Sequence, residues 1–156
     1  FLRLSEFSSH TKNQLLEIFV QAKIDSIVDL HNPIDLTPMS NDRVYEKVCK
    51  AVLDDDNTDC AVISCVPLTQ AINALPKSSK HNENYLDPSS IVQCLINLKS
   101  FTKKPWVCVV DAGTLYDPMV KCLEIHSIPV FRTIDRALKI FNVFCLARVK
   151  KDEIIY

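Results

Sequence analysis

The stretch DCAVISCV, residues 59–66, decides the fold. It is an unbroken apolar run of strand length between a helical pattern and a proline. A strand with one wet face alternates apolar and polar residues. One without alternation must be covered on both faces, as in a parallel sheet with helices above and below. PWVCVVD, residues 105–111, is a second run of this kind and ends in an acid. IPVF at 128–131 reads as a short third strand, and IDSIVDL at 24–30 reads as a fourth.

Helical patterns fill the intervals. SSHTKNQLLEIFVQ places Leu15, Leu16, Phe19 and Val20 at helical spacing, with Ser8 or Ser9 as N-cap. NDRVYEKVCKAVLDDD carries Val44, Val48, Val52 and Leu53 on one face, capped by Asn41 or Asp42. PLTQAINAL reads as a helix with Pro67 at its first position. DPSSIVQCLINLKSF enters through Asp-Pro, YDPMVKCLEIH follows the second buried strand, and TIDRALKIFNVFCLARVKK closes the chain behind Thr133. The polar PKSSKHNENY reads as a mobile surface loop. Strands alternating with helices specify an α/β fold: a three-layer, flavodoxin-like domain with a small, mostly parallel sheet and helices on both faces. Residues 1–156 read as one domain, with 1–23 as a lead-in helix and 24–150 as the sheet and its helices.

Composition narrows the function classes. A net charge of -1 provides no field to recruit nucleic acid or an anionic membrane. No apolar run approaches the ~18 residues of a membrane span. The chain opens FLRLSEF without an initiator Met and closes KKDEIIY, which reads as a piece of a longer polypeptide without a signal peptide. Seven cysteines, none in a C-x-x-C pair, read as buried thiols in a reducing, cytoplasmic setting. His10, His31, His81 and His126 are scattered, so no metal site is expected. Gly113 is the single glycine. That excludes the glycine-rich nucleotide loops, so an anion site must be built from helix N-termini and side chains.

Ligands of open parallel sheets bind beyond the carboxyl ends of the strands. Three segments leave strands there: NPIDLTP, CVPLTQ and VVDAGTLYDP. A helix starting at Pro67 would aim unpaired N–H groups and its positive dipole end past the sheet, where phosphate or carboxylate is the natural guest. Thr69 would add a hydroxyl donor. The two prolines of HNPIDLTP read as fixing a loop whose Asn32, Asp35 and Thr37 support that helix. His10 reads as an exposed first-turn histidine, His126 as a helix-end residue, and Asp54 to Asp56 as a solvated acidic run without function.

Taken in order, NPIDLTPMSNDRVYEKVCKAVLDDDNTDCAVISCVPLT and DAGTLYDPMVKCLEIHSIPVFRTIDRALKIF resemble the nucleoside-diphosphate-forming acyl-CoA synthetases. These include the ADP-forming acetyl-CoA synthetases and belong with succinyl-CoA synthetase. The resemblance is to the second CoA-ligase (flavodoxin-like) domain only, and it extends over nearly the whole chain. It implies a ligase that interconverts acyl-CoA, ADP and phosphate with acid, ATP and CoA. An acyl phosphate forms first, and a phosphohistidine then carries the phosphoryl group to an ATP-grasp domain. It also implies that Pro67, Leu68, Thr69 and Gln70 face the phosphate or phosphohistidine, supported by Asn32, Asp35 and Thr37 and by the turn of Asp111, Ala112 and Gly113.

By the same resemblance, the reactive histidine belongs to another domain. SSHTK lacks the glycine of the SHTG-like motif and falls in the lead-in helix, so His10 does not inherit the role and no catalytic residue is expected in this stretch. Val66 and Pro67 stand where succinyl-CoA synthetases have paired glycines. CoA, ADP or ATP, Mg2+ and phosphate would bind the complete enzyme, none of them this stretch alone, which should be inactive by itself. The implied partners are the CoA-binding, phosphohistidine and ATP-grasp domains. Two other readings share the fold: a non-catalytic subunit-docking module, and a phosphoacceptor receiver. The receiver wants an acidic pair after the first strand and a lysine ending a late one, and neither is evident.

Overall fold

The computed structural model describes the backbone of residues 1–154 and the side chains of residues 1–150. Helices α1 (Ser9–Ala22) and α2 (Asp42–Asp54) precede strand β1 (Ala61–Cys65). Then come α3 (Ile91–Phe101), β2 (Trp106–Val110), a 3-10 turn (Thr114–Tyr116), α4 (Asp117–Ile125), β3 (Val130–Phe131) and α5 (Ile134–Ile154). The sheet order is β1-β2-β3, and both pairings are parallel, with Ile63 opposite Cys108 and Val109 opposite Phe131.

The apolar run at 105–111 does what its sequence requires, whereas the run at 59–66 is covered fully on one face only: Ile63 and Cys65 are buried, but on the other face Val62 is half-buried and Ser64 exposed. All five residues of β2 are buried, and they divide between two faces. Val107 and Val109 meet Ala137, Phe141 and Cys145 of α5. Trp106, Cys108 and Val110 join Ile91, Leu95 and Leu98 of α3 and Met119 and Leu123 of α4. A third cluster, around Leu15, Phe19, Val44 and Val48, packs α1 onto α2. The three-layer α/β fold is therefore present, with helices on both faces of a small parallel sheet.

Three expectations need correction. Residues 24–30 form turns rather than a strand, so the described sheet has three strands. Lys23 takes the left-handed conformation (φ 58°) and ends α1, and the Val28 N–H returns to the Ile24 carbonyl at 3.0 Å. Ile24 and Val28 are thus one turn apart, and both point into the α1–α2 cluster. Their spacing has the helical period, not the strand period.

Residues 67–75 form no helix. Most of the N–H groups that would have sought carbonyls four residues back are taken by side chains, and that of Ile72 turns to the Thr69 carbonyl at 3.5 Å. Thr69 Oγ1 accepts from Ala71, Asp42 from Asn73, and Glu83 Oε2 from Ala74 (2.9 Å) and Leu75 (3.0 Å). Thr, Ile and Asn are weak helix formers, and such competition is how they leave a helix. Ile72 and Ala74 are buried in the main core by this route. The PKSSKHNENY loop is correspondingly tied down, with the Tyr85 N–H on the Leu75 carbonyl at 2.9 Å.

The acidic run is the third correction. Asp54 and Asp56 are exposed, but Asp55 is 3% exposed and accepts the N–H groups of Ser8 and Asn57, both at 2.8 Å. It anchors the start of α1 to the end of α2. Helix α3 also begins later than its Asp-Pro entry suggests: Asp87 accepts from Ser89, and Ser90 is the N-cap.

Candidate functional site

Crossovers between parallel strands run antiparallel to them, so the N-termini of α3 and α4 lie at the carboxyl edge of the sheet. Asp42 puts the N-terminus of α2 at the same edge, because its carboxylate accepts the first N–H of α3, from Ile91, at 2.7 Å. Two of the three expected segments leave strands here: residues 66–70 after β1 and residues 111–114 after β2. The third arrives beside α2, and its end is joined to the first, since Thr69 Oγ1 donates to the Pro38 carbonyl at 2.7 Å.

That bond changes the role of Thr69. Its proton is committed to Pro38 and its oxygen accepts the Ala71 N–H at 3.2 Å, so the hydroxyl fastens two loops together. Pro67 is buried, whereas Leu68 and Gln70 are exposed. Without a helix at 67–75 there is no dipole end at this point. The backbone still offers donors: the N–H groups of Leu68, Thr69 and Gln70, and of Ala112 and Gly113, find no protein acceptor among the described residues.

The remaining candidates divide. Asp35 Oδ1 accepts the Thr37 N–H at 2.9 Å, and Thr37 Oγ1 accepts the Met39 N–H at 3.3 Å, holding the loop entry to α2. Thr37 has φ 60°, a left-handed conformation that costs a β-branched residue energy and that these two bonds offset. Asn32 is elsewhere. Its amide donates to the Ser5 carbonyl at 3.1 Å, and Ser5 touches Thr58, just before β1, so Asn32 sits toward the amino edge. Asp111 and Gly113 are exposed and Ala112 is half-buried, with the Asp111 N–H on the Cys65 carbonyl.

Sequence reasoning missed the roles of three residues that build this edge. Arg132, just after β3, donates to the Ala112 carbonyl at 3.1 Å and pairs with Asp117 at the start of α4. Asp42 and Glu83 hold residues 73–75 in place. Burial raises the Asp42 pKa above the usual carboxylate value, although the Asn73 and Ile91 N–H groups pull it back. An arginine directly after a strand, and an acid at a first helical position, were the only advance signals.

All seven cysteines are free thiols, and burial pushes those of Cys49, Cys65 and Cys94 up to about 12, leaving them protonated at neutral pH. His10 is exposed in the first turn of α1, and His126 caps α4 with its Nδ1 2.8 Å from the Cys122 carbonyl. Among the described residues no group of His, Cys, Asp and Glu is placed to hold a metal ion, and no helix is long and apolar enough to cross a membrane.

No protein-family model matches the chain. Among curated proteins it is similar to acetate–CoA ligase (ADP-forming) II of Archaeoglobus fulgidus, with 27% identity over 145 residues. The match covers 90% of this chain and 18% of the relative, so the chain spans about a fifth of that protein's length. Among solved structures it is similar to the protein PH0766 from Pyrococcus horikoshii OT3, with TM-score 0.65 and 20% identity over 83% of this chain and 26% of that one. It is also similar to the apo form of the dinucleotide forming acetyl-coenzyme A synthetase 1 of Ca. Korarchaeum cryptofilum. There the TM-score is 0.54 and the identity 16%, over 84% of this chain and 31% of the other. At those identities the two structures speak for the fold.

Proposed function

From the premise that this chain is related to part of the ADP-forming acetyl-CoA synthetases, we propose that it is the second CoA-ligase domain of such an enzyme. The complete protein would be a cytoplasmic acid–thiol ligase. It would interconvert acyl-CoA, ADP and phosphate with the free acid, ATP and CoA, using Mg2+. This domain would work with CoA-binding, phosphohistidine and ATP-grasp domains and would not turn over alone. The observation that carries the reading is the similarity over 90% of the chain, on a parallel α/β fold whose carboxyl edge gathers the expected loops.

In this reading Pro67, Leu68, Thr69 and Gln70 form the phosphate- or phosphohistidine-facing segment through backbone N–H groups rather than a helix dipole. Pro67 is seated in the protein, and Thr69 ties the segment to Pro38. Asp35 and Thr37 shape the neighbouring loop. Asp111, Ala112 and Gly113 form the adjoining turn, held by Arg132. Asn32 contributes only by fixing the far end of its loop to Ser5. Nearby backbone donors aimed at an anion are a recognised way to stabilise phosphoryl charge.

A second reading, a non-catalytic docking module, draws on a different observation. Val66 (50%), Leu68 (69%) and Leu115 (64%) are exposed around the same edge, an apolar rim suited to contact with another domain.

One experiment separates the two. CoA release from acetyl-CoA by the full polypeptide is measured with and without ADP and phosphate. Release that needs both supports the ligase reading. No release with any short acyl-CoA, together with loss of assembly in Leu68→Asp, leaves the docking module.

A further inference from the structure

Two cysteines far apart in sequence meet on the face of the sheet that α5 covers. Cys60 immediately precedes β1 and is partly exposed, whereas Cys145 is buried on the inner stripe of α5 with Ala137 and Phe141. Cys60 packs against that cluster, near enough to Cys145 for the second thiol to help raise its pKa. We propose that Cys60 and Cys145 close a reversible intramolecular disulfide, formed by exchange with a small-molecule disulfide, that staples α5 to the entry of β1.

The roles follow from access. The oxidant reaches Cys60. The Cys60 thiolate attacks one sulfur of the small disulfide, making a mixed disulfide and releasing one thiolate. Cys145 then loses its proton and attacks the Cys60 sulfur, forming the internal S–S bond and expelling the second thiolate. Two protein thiols are oxidised by two electrons, the small disulfide is reduced to two thiols, and the two protein protons end on them. Burial pushes the Cys60 thiol up to about 11, so the exchange is slow at neutral pH and quickens under alkaline conditions. Cys49 and Cys94 also neighbour each other, but Cys94 Sγ donates to Glu46 at 3.6 Å, and that carboxylate opposes the thiolate an exchange needs.

The staple has a consequence for α5. The cluster beneath this helix is the smallest of the three, and its outer side leaves Ile140, Val143 and Phe144 exposed. Reduced, α5 rests on a short apolar contact. Oxidised, it is bonded to the sheet it covers. The inference is independent of the ligase reading.

The test treats the full polypeptide with excess oxidised glutathione under mildly alkaline conditions, then alkylates the remaining thiols and maps the peptides. The expected result is a linked pair containing Cys60 and Cys145, lighter by two hydrogens and restored by dithiothreitol. Amide exchange in α5 should slow on the order of tenfold on oxidation. Cys60→Ser should abolish the linked pair, and so should Cys145→Ser. The wild-type peptide map decides the matter even where the buried substitution fails to fold. A persistent glutathione adduct on Cys60 with Cys145 still alkylatable overturns the proposal, as does a link from either residue to any other cysteine, or no thiol loss at all.

Discussion

The Asp42 carboxylate, at the first residue of α2, accepts the Ile91 N–H at the first residue of α3 at 2.7 Å. The same oxygen accepts the Asn73 N–H at 3.1 Å. One half-buried carboxylate thereby serves two backbone donors and supplies negative charge at two helix N-termini. Asp42→Ala strands both donors and should cost about 3 kcal/mol of unfolding free energy. Asp42→Asn keeps an oxygen in place and removes a charge that burial already disfavours, so its cost should stay within about 1 kcal/mol. Urea unfolding of both variants measures the difference. Equal losses would mean that the charge, not the acceptor, matters.

Glu83 decides the course of residues 73–75. With its carboxylate accepting the Ala74 and Leu75 N–H groups, the segment has no need of helical partners. Glu83→Ala leaves both donors unpaired and should cost about 2 kcal/mol. It should also speed proteolytic cleavage between residues 70 and 85. Circular dichroism should show no gain of helix, because Thr69 and Asn73 keep their local bonds.

These two residues mark where the sequence stopped being legible. The apolar run at 105–111 could be read directly, because burial on both faces leaves only one pattern, and the run at 59–66 was legible as a strand although one of its faces is partly open. The α2, α3, α4 and α5 helices could be read because their periodicity and local caps lie within each segment. The course of residues 67–75 could not. Its pattern permits a helix, and the acceptors that override it come from Asp42 and Glu83, one of them 31 positions away. Residues 24–30 failed for a related reason, since four apolar residues in seven fit a turn packed on α1 as well as a strand. Of the candidate site, the carboxyl-edge loops were legible as segments. The commitment of Thr69 to Pro38 and the arrival of Arg132 beside Ala112 depend on long-range contacts that no local pattern encodes.

Thr69 offers a test of the edge itself. Thr69→Ser retains the hydroxyl that donates to Pro38, whereas Thr69→Val removes it at nearly constant volume. Thr69→Val should cost about 1 kcal/mol in stability. Hydrogen exchange should then quicken in residues 66–71 and at the entry to α2, but not in α5. If the complete enzyme uses this edge, its turnover should fall in Thr69→Val and recover in Thr69→Ser. Equal exchange in both variants would show that the bond does not hold the two loops together.

Asp55 sets an acid-stability signature opposite to that of Asp42. Burial alone would raise its pKa, but donors from Thr11, Asn57 and Ser8 together outweigh burial and hold it below the ordinary 3.8. A carboxylate with a depressed folded-state pKa contributes stability in full above its unfolded value and loses it as pH falls through the folded one. Asp42, whose pKa is raised, behaves in reverse: its contribution is fullest below its unfolded value and is lost as pH rises through the folded one. Asp55→Asn turns one acceptor toward a backbone N–H as a donor and should cost about 2 kcal/mol at neutral pH. The gap between wild type and Asp55→Asn should therefore hold steady near neutrality and narrow once pH drops below 3.8. For Asp42→Asn the gap should change in the opposite direction, because only the wild type gains from protonation there. Urea unfolding across an acid series measures both. Parallel curves for wild type and Asp55→Asn would mean that this carboxylate has the same pKa in the folded and unfolded protein.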